Sequence, residues 1–352
     1  MTIDMETARH RLTGWFGARI PGAQKLEVSA LTAPGAGASN ETYFVSVAYQ
    51  QGCELISREL VIRWPPSGFH VFPPESYDMQ QQYELLKRLQ QTSVPSPAVF
   101  GVETDQAVLG MPFYVMERVS GWIPGDFPPY HSAGRLFESS EAEREKVWWS
   151  GLKTVAQVHA VDAAGTGLDM LGVPEQTGFM EGQIRLYDAV LAQNHDPVPD
   201  TLVAARRWLI ENAFTPPCQC LCWGDARIGN MIFDDDLSVV AALDWEMAAI
   251  GDPIADLAWF IHVDWAASEG RPRSPTPRLK GFPDREATIA KYEALTGRTV
   301  ENFNYYDVLA AYRLAVVYTR IEQDQNYLDR SGNTKGMLTI THFEKLDSLI
   351  GL

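Results

Sequence analysis

The stretch from Cys222 to Glu246, CWGDARIGNMIFDDDLSVVAALDWE, constrains the fold more tightly than any other part of the chain. Asp225 is followed five residues later by Asn230, and Asp244 comes fourteen residues after that. Gly224 and Gly229 flank a polar turn, and Met231, Ile232 and Phe233 read as a short buried strand. The acidic turn Asp234 to Asp236 reverses the chain into a second apolar strand, Val239 to Leu243, which delivers Asp244 at its end. Such a hairpin sets Asn230 and Asp244 side by side. Any one Asx residue can simply cap a turn or strand end, so the weight rests on all three at this spacing.

Two aspartates and an asparagine so arranged are what phosphoryl transfer requires. In the kinase template one aspartate handles the attacking hydroxyl, while an asparagine and a second aspartate hold the Mg²⁺ ions that bridge the nucleotide phosphates. Ligands that are all oxygen suit that hard cation.

The segment resembles the catalytic core of the aminoglycoside phosphotransferase-like superfamily, a branch of the protein-kinase-like fold. Within it, the likeness is to the kinase-like domains attached to some acyl-CoA dehydrogenases. That branch typically reads His-Gly-Asp, then Arg-x-Gly-Asn, a strand ending Leu-Asp-Trp-Glu, and Gly-Asp-Pro with Asp-Leu-Ala shortly after. This chain has WGDARIGN, ALDWE and GDPIADLAW in that order. Trp223 departs from the usual His; the resemblance gives that position a role in supporting the loop, so altered packing is expected without loss of chemistry.

Composition agrees with a soluble cytoplasmic enzyme. At 352 residues and 45% hydrophobic content the chain can build two lobes with sizeable cores. It has no apolar run of about 18 residues that could span a membrane, and MTIDMETARHRLTGWF reads as an amphipathic helix with no signal-peptide core. A net charge of −16 argues against nucleic acid as partner; it suits a cationic acceptor or is simply a solubility device. Four cysteines are too few for a disulfide framework, and Cys218, Cys220 and Cys222, alternating along one probable strand, read as buried small residues.

The resemblance organises the rest of the chain into an N-lobe, residues 1–119, and a C-lobe, residues 120–352. Lys25 to Leu31 reads as a strand leading into a small-residue turn with Gly35, Gly37, Ser39 and Asn40, where backbone N–H groups could approach phosphates closely; it could equally be a plain hairpin. The resemblance matches Gly37, Ser39, Asn40, Thr42 and Tyr43 to the family's Gly-x-Ser-Asn-x-Thr-Tyr. It makes Arg63, on the strand Glu59 to Trp64, the phosphate-gripping cation; a solvated strand-end Arg is the alternative. The helix read at Pro73 to Gln91 should supply a Glu to pair with that cation, but alignment puts Gln82 there. A neutral amide forms no ion pair, which leaves Asp78, Glu84 or Glu75 as substitutes, Asp78 being one turn away on the same face. By similarity, Met116 lies beside the adenine, with the Glu117 carbonyl and Val119 N–H on its edge, in the strand Phe113 to Val119.

Beyond the Pro/Gly-rich WIPGDFPPYHSAG, helices are predicted at Glu141 to Ala160, Thr201 to Ala213, Asp284 to Leu295, Tyr305 to Asp324 and Thr339 to Ile350. Gly251-Asp252-Pro253 starts another helix, whose Asp256 the resemblance makes a brace for the catalytic loop. Glu246 shares the face of Asp244 if the segment is extended, and could touch metal or substrate. Ser268 to Pro283, dense in Pro and Arg, reads as an exposed loop.

The resulting expectation is an α+β, two-lobed, protein-kinase-like fold: a small antiparallel-sheet N-lobe with one main helix and a larger, mostly helical C-lobe. It would carry an enzyme moving the γ-phosphoryl group of ATP or GTP, with Mg²⁺, to a hydroxyl of a small molecule. An aminoglycoside-like antibiotic and a hydroxylated acyl metabolite are the acceptors considered. The alternative is a degenerate kinase-like module that binds nucleotide and regulates, supported by Gln82 and Trp223. Oligomeric state is not written in the sequence.

Overall fold

A computed structural model describes residues 4–33, 41–172, 178–271, 275–331 and 334–352. The chain divides into two compact units. Met1–His70, Pro74–Gln91 and Ser96–Ser120 form the first, and Val71–Pro73, Thr92–Pro95 and Gly121–Leu352 the second.

The first unit contains α1 (Met5–Arg19), β1 (Gln24–Val28), β2 (Glu41–Gln51), β3 (Glu54–Trp64), α2 (Met79–Leu89), β4 (Val99–Glu103), α3 (Gln106–Leu109) and β5 (Phe113–Glu117). Its five strands form one antiparallel sheet in the order β1-β2-β3-β5-β4. The β2–β3 hairpin is in unbroken register from Glu41↔Trp64 to Gln51↔Glu54, with Val45, Val47 and Tyr49 buried at alternate positions. On α1, Ala8, Leu12, Trp15 and Phe16 are buried at helical spacing and join Leu60, Ile62, Trp64, Phe113 and Val115 in one core. Truncating Leu12 there would cost about 2–5 kcal/mol. The Trp15 indole donates to Glu103 (2.9 Å), which also pairs with Arg19 (2.8 Å).

The helix expected from Pro73 to Gln91 is shorter. A 3₁₀ turn at Pro74–Ser76 precedes it, and Asp78 is the N-cap of α2, accepting from the Gln81 N–H at 3.0 Å. An Asp at that position satisfies one of the helix's unpaired donors.

The second unit is mostly helical. Its elements are α4 (Arg135–Glu138), α5 (Glu141–His159), α6 (Gly178–Leu191), α7 (Asp200–Glu211), β6 (Cys220–Cys222), β7 (Met231–Phe233), β8 (Val239–Ala242), β9 (Ala249–Gly251), α8 (Pro253–Ala266), α9 (Arg285–Thr296), α10 (Phe303–Ile321), α11 (Gln325–Ser331) and α12 (Ile340–Ile350). A capping box of Ser140 and Glu143 starts α5, and Asp252 with Pro253 starts α8, the Asp252 side chain accepting from the Ile254 N–H at 3.0 Å. The strands form two small antiparallel pairs, β6 with β9 and β7 with β8. The architecture is α+β, and among the described residues no helix is long and apolar enough to cross a membrane.

Ser268 to Pro283 is only partly the exposed loop expected. Phe282 is buried, and the Arg278 guanidinium donates to Asp264 (2.6 Å) and to the Phe282 and Pro283 carbonyls. Asp264 also accepts from Tyr130 Oη (2.7 Å) and His131 Nε2 (2.9 Å), so a buried polar knot anchors the segment that follows Asp126.

Candidate active site

Local geometry builds the site from the β6–β9 pair outward. Immediately after β6 the chain turns at Gly224, where φ is +86° and a Cβ would stand 2.2 Å from the Met247 carbonyl oxygen. Only glycine fits both conditions. A single 3₁₀ turn, Ile228–Asn230, then feeds β7. The Asn230 carbonyl accepts from the Leu243 N–H at 2.9 Å, so Asn230 is paired next to Asp244, as the hairpin reading requires.

Asn230, 2% exposed, turns its amide nitrogen to Asp225, reaching Oδ2 at 2.7 Å and the backbone carbonyl at 3.1 Å. Two acceptors on that side fix which end of the amide is nitrogen, leaving the Asn230 side-chain oxygen directed elsewhere. That oxygen and the Asp244 carboxylate are hard donors of the kind Mg²⁺ takes. Asp225 Oδ1 accepts from the Trp259 indole at 2.7 Å, and Oδ2 also accepts from Arg227 Nε at 3.3 Å. Arg227 reaches both oxygens of Asp126, at 2.9 and 3.0 Å. Burial works against the charge on Arg227, but Asp225, Asp126 and Asp244 outweigh it and hold its pKa above the usual arginine value.

The loop is braced from beneath. Asp256, 1% exposed, accepts from the Trp223 N–H (2.5 Å), the Gly224 N–H (2.9 Å) and His159 Nε2 (3.1 Å), while His159 Nδ1 is bonded to Tyr292 Oη at 2.7 Å. Arg313, 2% exposed, donates to the Gly224 carbonyl (2.6 Å) and to Tyr187 Oη (2.9 Å), and its guanidinium lies 4.4 Å from the Trp259 ring centroid. Both peptide groups flanking Gly224 are therefore held by buried charges. His159, Cys222 and Asp256 are close enough to ligate a metal, but the imidazole and carboxylate already serve the brace. Burial pushes the Cys222 thiol well above its ordinary pKa, and all four cysteines are free.

Asp225, Asn230 and Asp244 thus share the second unit. Arg63, Gln82, Met116, Glu117 and Val119 share the first, and Gly35, Gly37, Ser39 and Asn40 lie outside the described residues. Arg63 is a buried β3 residue (6% exposed) opposite Thr42 and Tyr114 in the sheet. Gln82 is also buried (4% exposed), and among the described residues neither end of its amide has a hydrogen-bond partner. Glu84 faces Lys87 and Arg88, each at 3.7 Å. Met116 is buried in β5; the Glu117 side chain pairs with Arg58, and its N–H donates to the Ala98 carbonyl at 2.8 Å. The sequence reading missed Trp259 and Arg313. Trp259 stands three residues beyond Asp256 on α8, on the same helical face, and Arg313 is a lone cation in the apolar run LAAYRLAVV. Both were visible as oddities.

The sequence profile of the Phosphotransferase enzyme family matches residues 30–291. The chain belongs to that family. It is 26% identical over 334 residues to acyl-CoA dehydrogenase family member 10 of Mus musculus, covering 90% of this chain and 28% of that protein. To acyl-CoA dehydrogenase family member 11 of Gallus gallus it is 29% identical over 313 residues, covering 84% and 37%. This phosphotransferase-family chain therefore spans less than two-fifths of the length of those relatives. Among solved structures, a provisionally named aminoglycoside phosphotransferase from Ralstonia eutropha superposes with a TM-score of 0.71 at 22% identity, covering 96% of this chain and 98% of that one. A thermostable mutant of aminoglycoside phosphotransferase APH(4)-Ia, in ternary complex with ADP and hygromycin B, superposes with a TM-score of 0.55 at 15% identity, covering 97% of each chain. At such identities the likeness is one of fold, and the fold is kinase-like.

Proposed function

We propose that this phosphotransferase-family chain transfers the γ-phosphoryl group of ATP or GTP to a hydroxyl of a small molecule, with Asp225 as the group that receives the hydroxyl proton. The observation that carries the reading is the Asp225–Asn230 bond at 2.7 Å, with Asn230 paired beside Asp244. A carboxylate offers about four acceptor positions. Trp259, Asn230 and Arg227 take three of those on Asp225, which leaves one for an incoming hydroxyl. The bonds also fix the plane of the carboxylate, so the base needs no reorientation as the O–P bond forms and the nucleoside diphosphate leaves.

Asn230 and Asp244 would hold Mg²⁺, which would supply positive charge to offset that of the nucleotide phosphates. On the first unit, we assign phosphate binding to Arg63 and to the segment with Gly35, Gly37, Ser39 and Asn40. Gln82 takes the position of the usual ion-pair Glu, and the backbone at Met116, Glu117 and Val119 is assigned to the base. A cytoplasmic location accords with ATP as donor. The structural neighbour bound to hygromycin B and the acyl-CoA dehydrogenase relatives point to the two acceptor classes, an aminoglycoside-like compound and a hydroxylated acyl metabolite.

The unpartnered amide of Gln82 favours a second reading, a nucleotide-binding module without turnover. One experiment separates the two: transfer of label from γ-³²P-ATP into a small-molecule extract, wild type against Asp225→Ala. A labelled product made only by wild type supports the transferase. Equal labelling removes Asp225 from the mechanism, and intact nucleotide binding with no labelled product favours the module.

A further inference from the structure

We infer that Trp223, standing where the family usually has His, is the positioning residue for the metal-binding turn, acting through its indole N–H. The inference rests on the reading of Asp244 as a metal ligand. Asp244 has φ +56°, a conformation that a residue bearing a Cβ keeps only where its surroundings hold it. A pair of stacked indoles holds its backbone carbonyl and those of the two residues before it. Trp223, fully buried, donates from Nε1 to the carbonyls of Leu243 (2.8 Å) and Asp244 (3.2 Å). Its ring lies on Trp245 at 5.2 Å and 24°, and Trp245 Nε1 donates to the Ala242 carbonyl at 2.9 Å. Three consecutive carbonyls, 242 to 244, are thus fixed by two side chains that can only donate.

The same residue joins this turn to the catalytic loop. The backbone N–H of Trp223 is held by Asp256, and Asp225 follows two residues later. Trp223 thus links base and metal ligand from beneath, beside the link that Asn230 makes through its bond to Asp225 and its pairing with Leu243.

The test is Mn²⁺ binding in the presence of ADP, followed by electron paramagnetic resonance, in wild type, Asp244→Ala, Trp223→Phe and Trp223→His. Asp244→Ala should lose the site. Trp223→Phe should weaken it about tenfold, the worth of one neutral hydrogen bond, and Trp223→His should recover most of that loss. Wild-type affinity in Trp223→Phe, with the site lost in Asp244→Ala, would overturn the role of Trp223 alone. Equal binding in wild type and Asp244→Ala would overturn the metal reading and this inference with it. Should Trp223→Phe not fold, the indole proton of Trp223 in ¹⁵N-tryptophan-labelled wild type decides. It should be protected from exchange and shift when Mg²⁺ and ADP are added together; exchange at the solvent rate would refute the bond.

Discussion

Replacing Asp256 by Ala should damage stability and turnover together, by amounts the structure allows to be worked out. The carboxylate is buried and takes the N–H groups of Trp223 and Gly224 at 2.5 and 2.9 Å. Alanine leaves both donors buried without a partner, at about 1–3 kcal/mol each, so the loss is about 4 kcal/mol before His159 is considered. In a unit of this size that lowers the melting temperature by on the order of 10 °C. Asp256→Asn keeps one acceptor but turns an NH₂ towards the second donor, and should lose about half as much. Because those peptide groups fix Asp225, phosphoryl transfer should fall about a hundredfold even where the protein remains folded. Urea unfolding followed by circular dichroism, with initial rates on the folded protein, measures both. Unfolding of Asp256→Ala within about 1 kcal/mol of wild type would refute the reasoning, since the two N–H groups would then have found other partners.

Gly224→Ala should destabilise by about 3 kcal/mol or more, because the new Cβ meets the Met247 backbone at a positive φ; urea midpoints near those of wild type would count against it. Stability should also fall as pH drops from about 6.5 towards 4. Burial lowers the pKa of His342 to about 4 and that of His262 well below its ordinary value. The unfolded chain then binds more protons across that window and is favoured as pH falls, by about 3 kcal/mol for His342 alone. Urea titrations at pH 7, 5.5 and 4.5 with His342→Phe as the control check this, and an unchanged pH slope in the variant would exclude His342 as a source.

What could be read from the sequence was local. The hairpin was legible because an acidic turn separates two short apolar runs, and pairing them forces Asn230 next to Leu243 and Asp244. The Gly-Asp-Pro start of α8 was legible for the same reason, since capping is decided within four residues. The bonds that orient Asp225 were not. Trp259 and Arg313 lie 34 and 88 residues beyond Asp225 in the chain, and only the packing of α8 and α10 brings one to its carboxylate and the other to the carbonyl of Gly224. The capping role of Asp78 was missed although it too is local, since one oxygen of its carboxylate takes the Gln81 N–H at the start of α2. Trp223 shows why a departure from a family pattern should be judged by the bond it makes. By residue type, indole for imidazole looks like a loss of chemistry. By the bonds it makes, it is a donor shared between two carbonyls of the turn that carries Asp244. Gln82 differs in kind, because an amide for a carboxylate removes a charge, and among the described residues neither end of this buried amide has a hydrogen-bond partner. Gln82 changes the charge of its position and Trp223 keeps a donor at its own, so Gln82→Glu is the replacement expected to move nucleotide affinity, read by ATP titration against wild type.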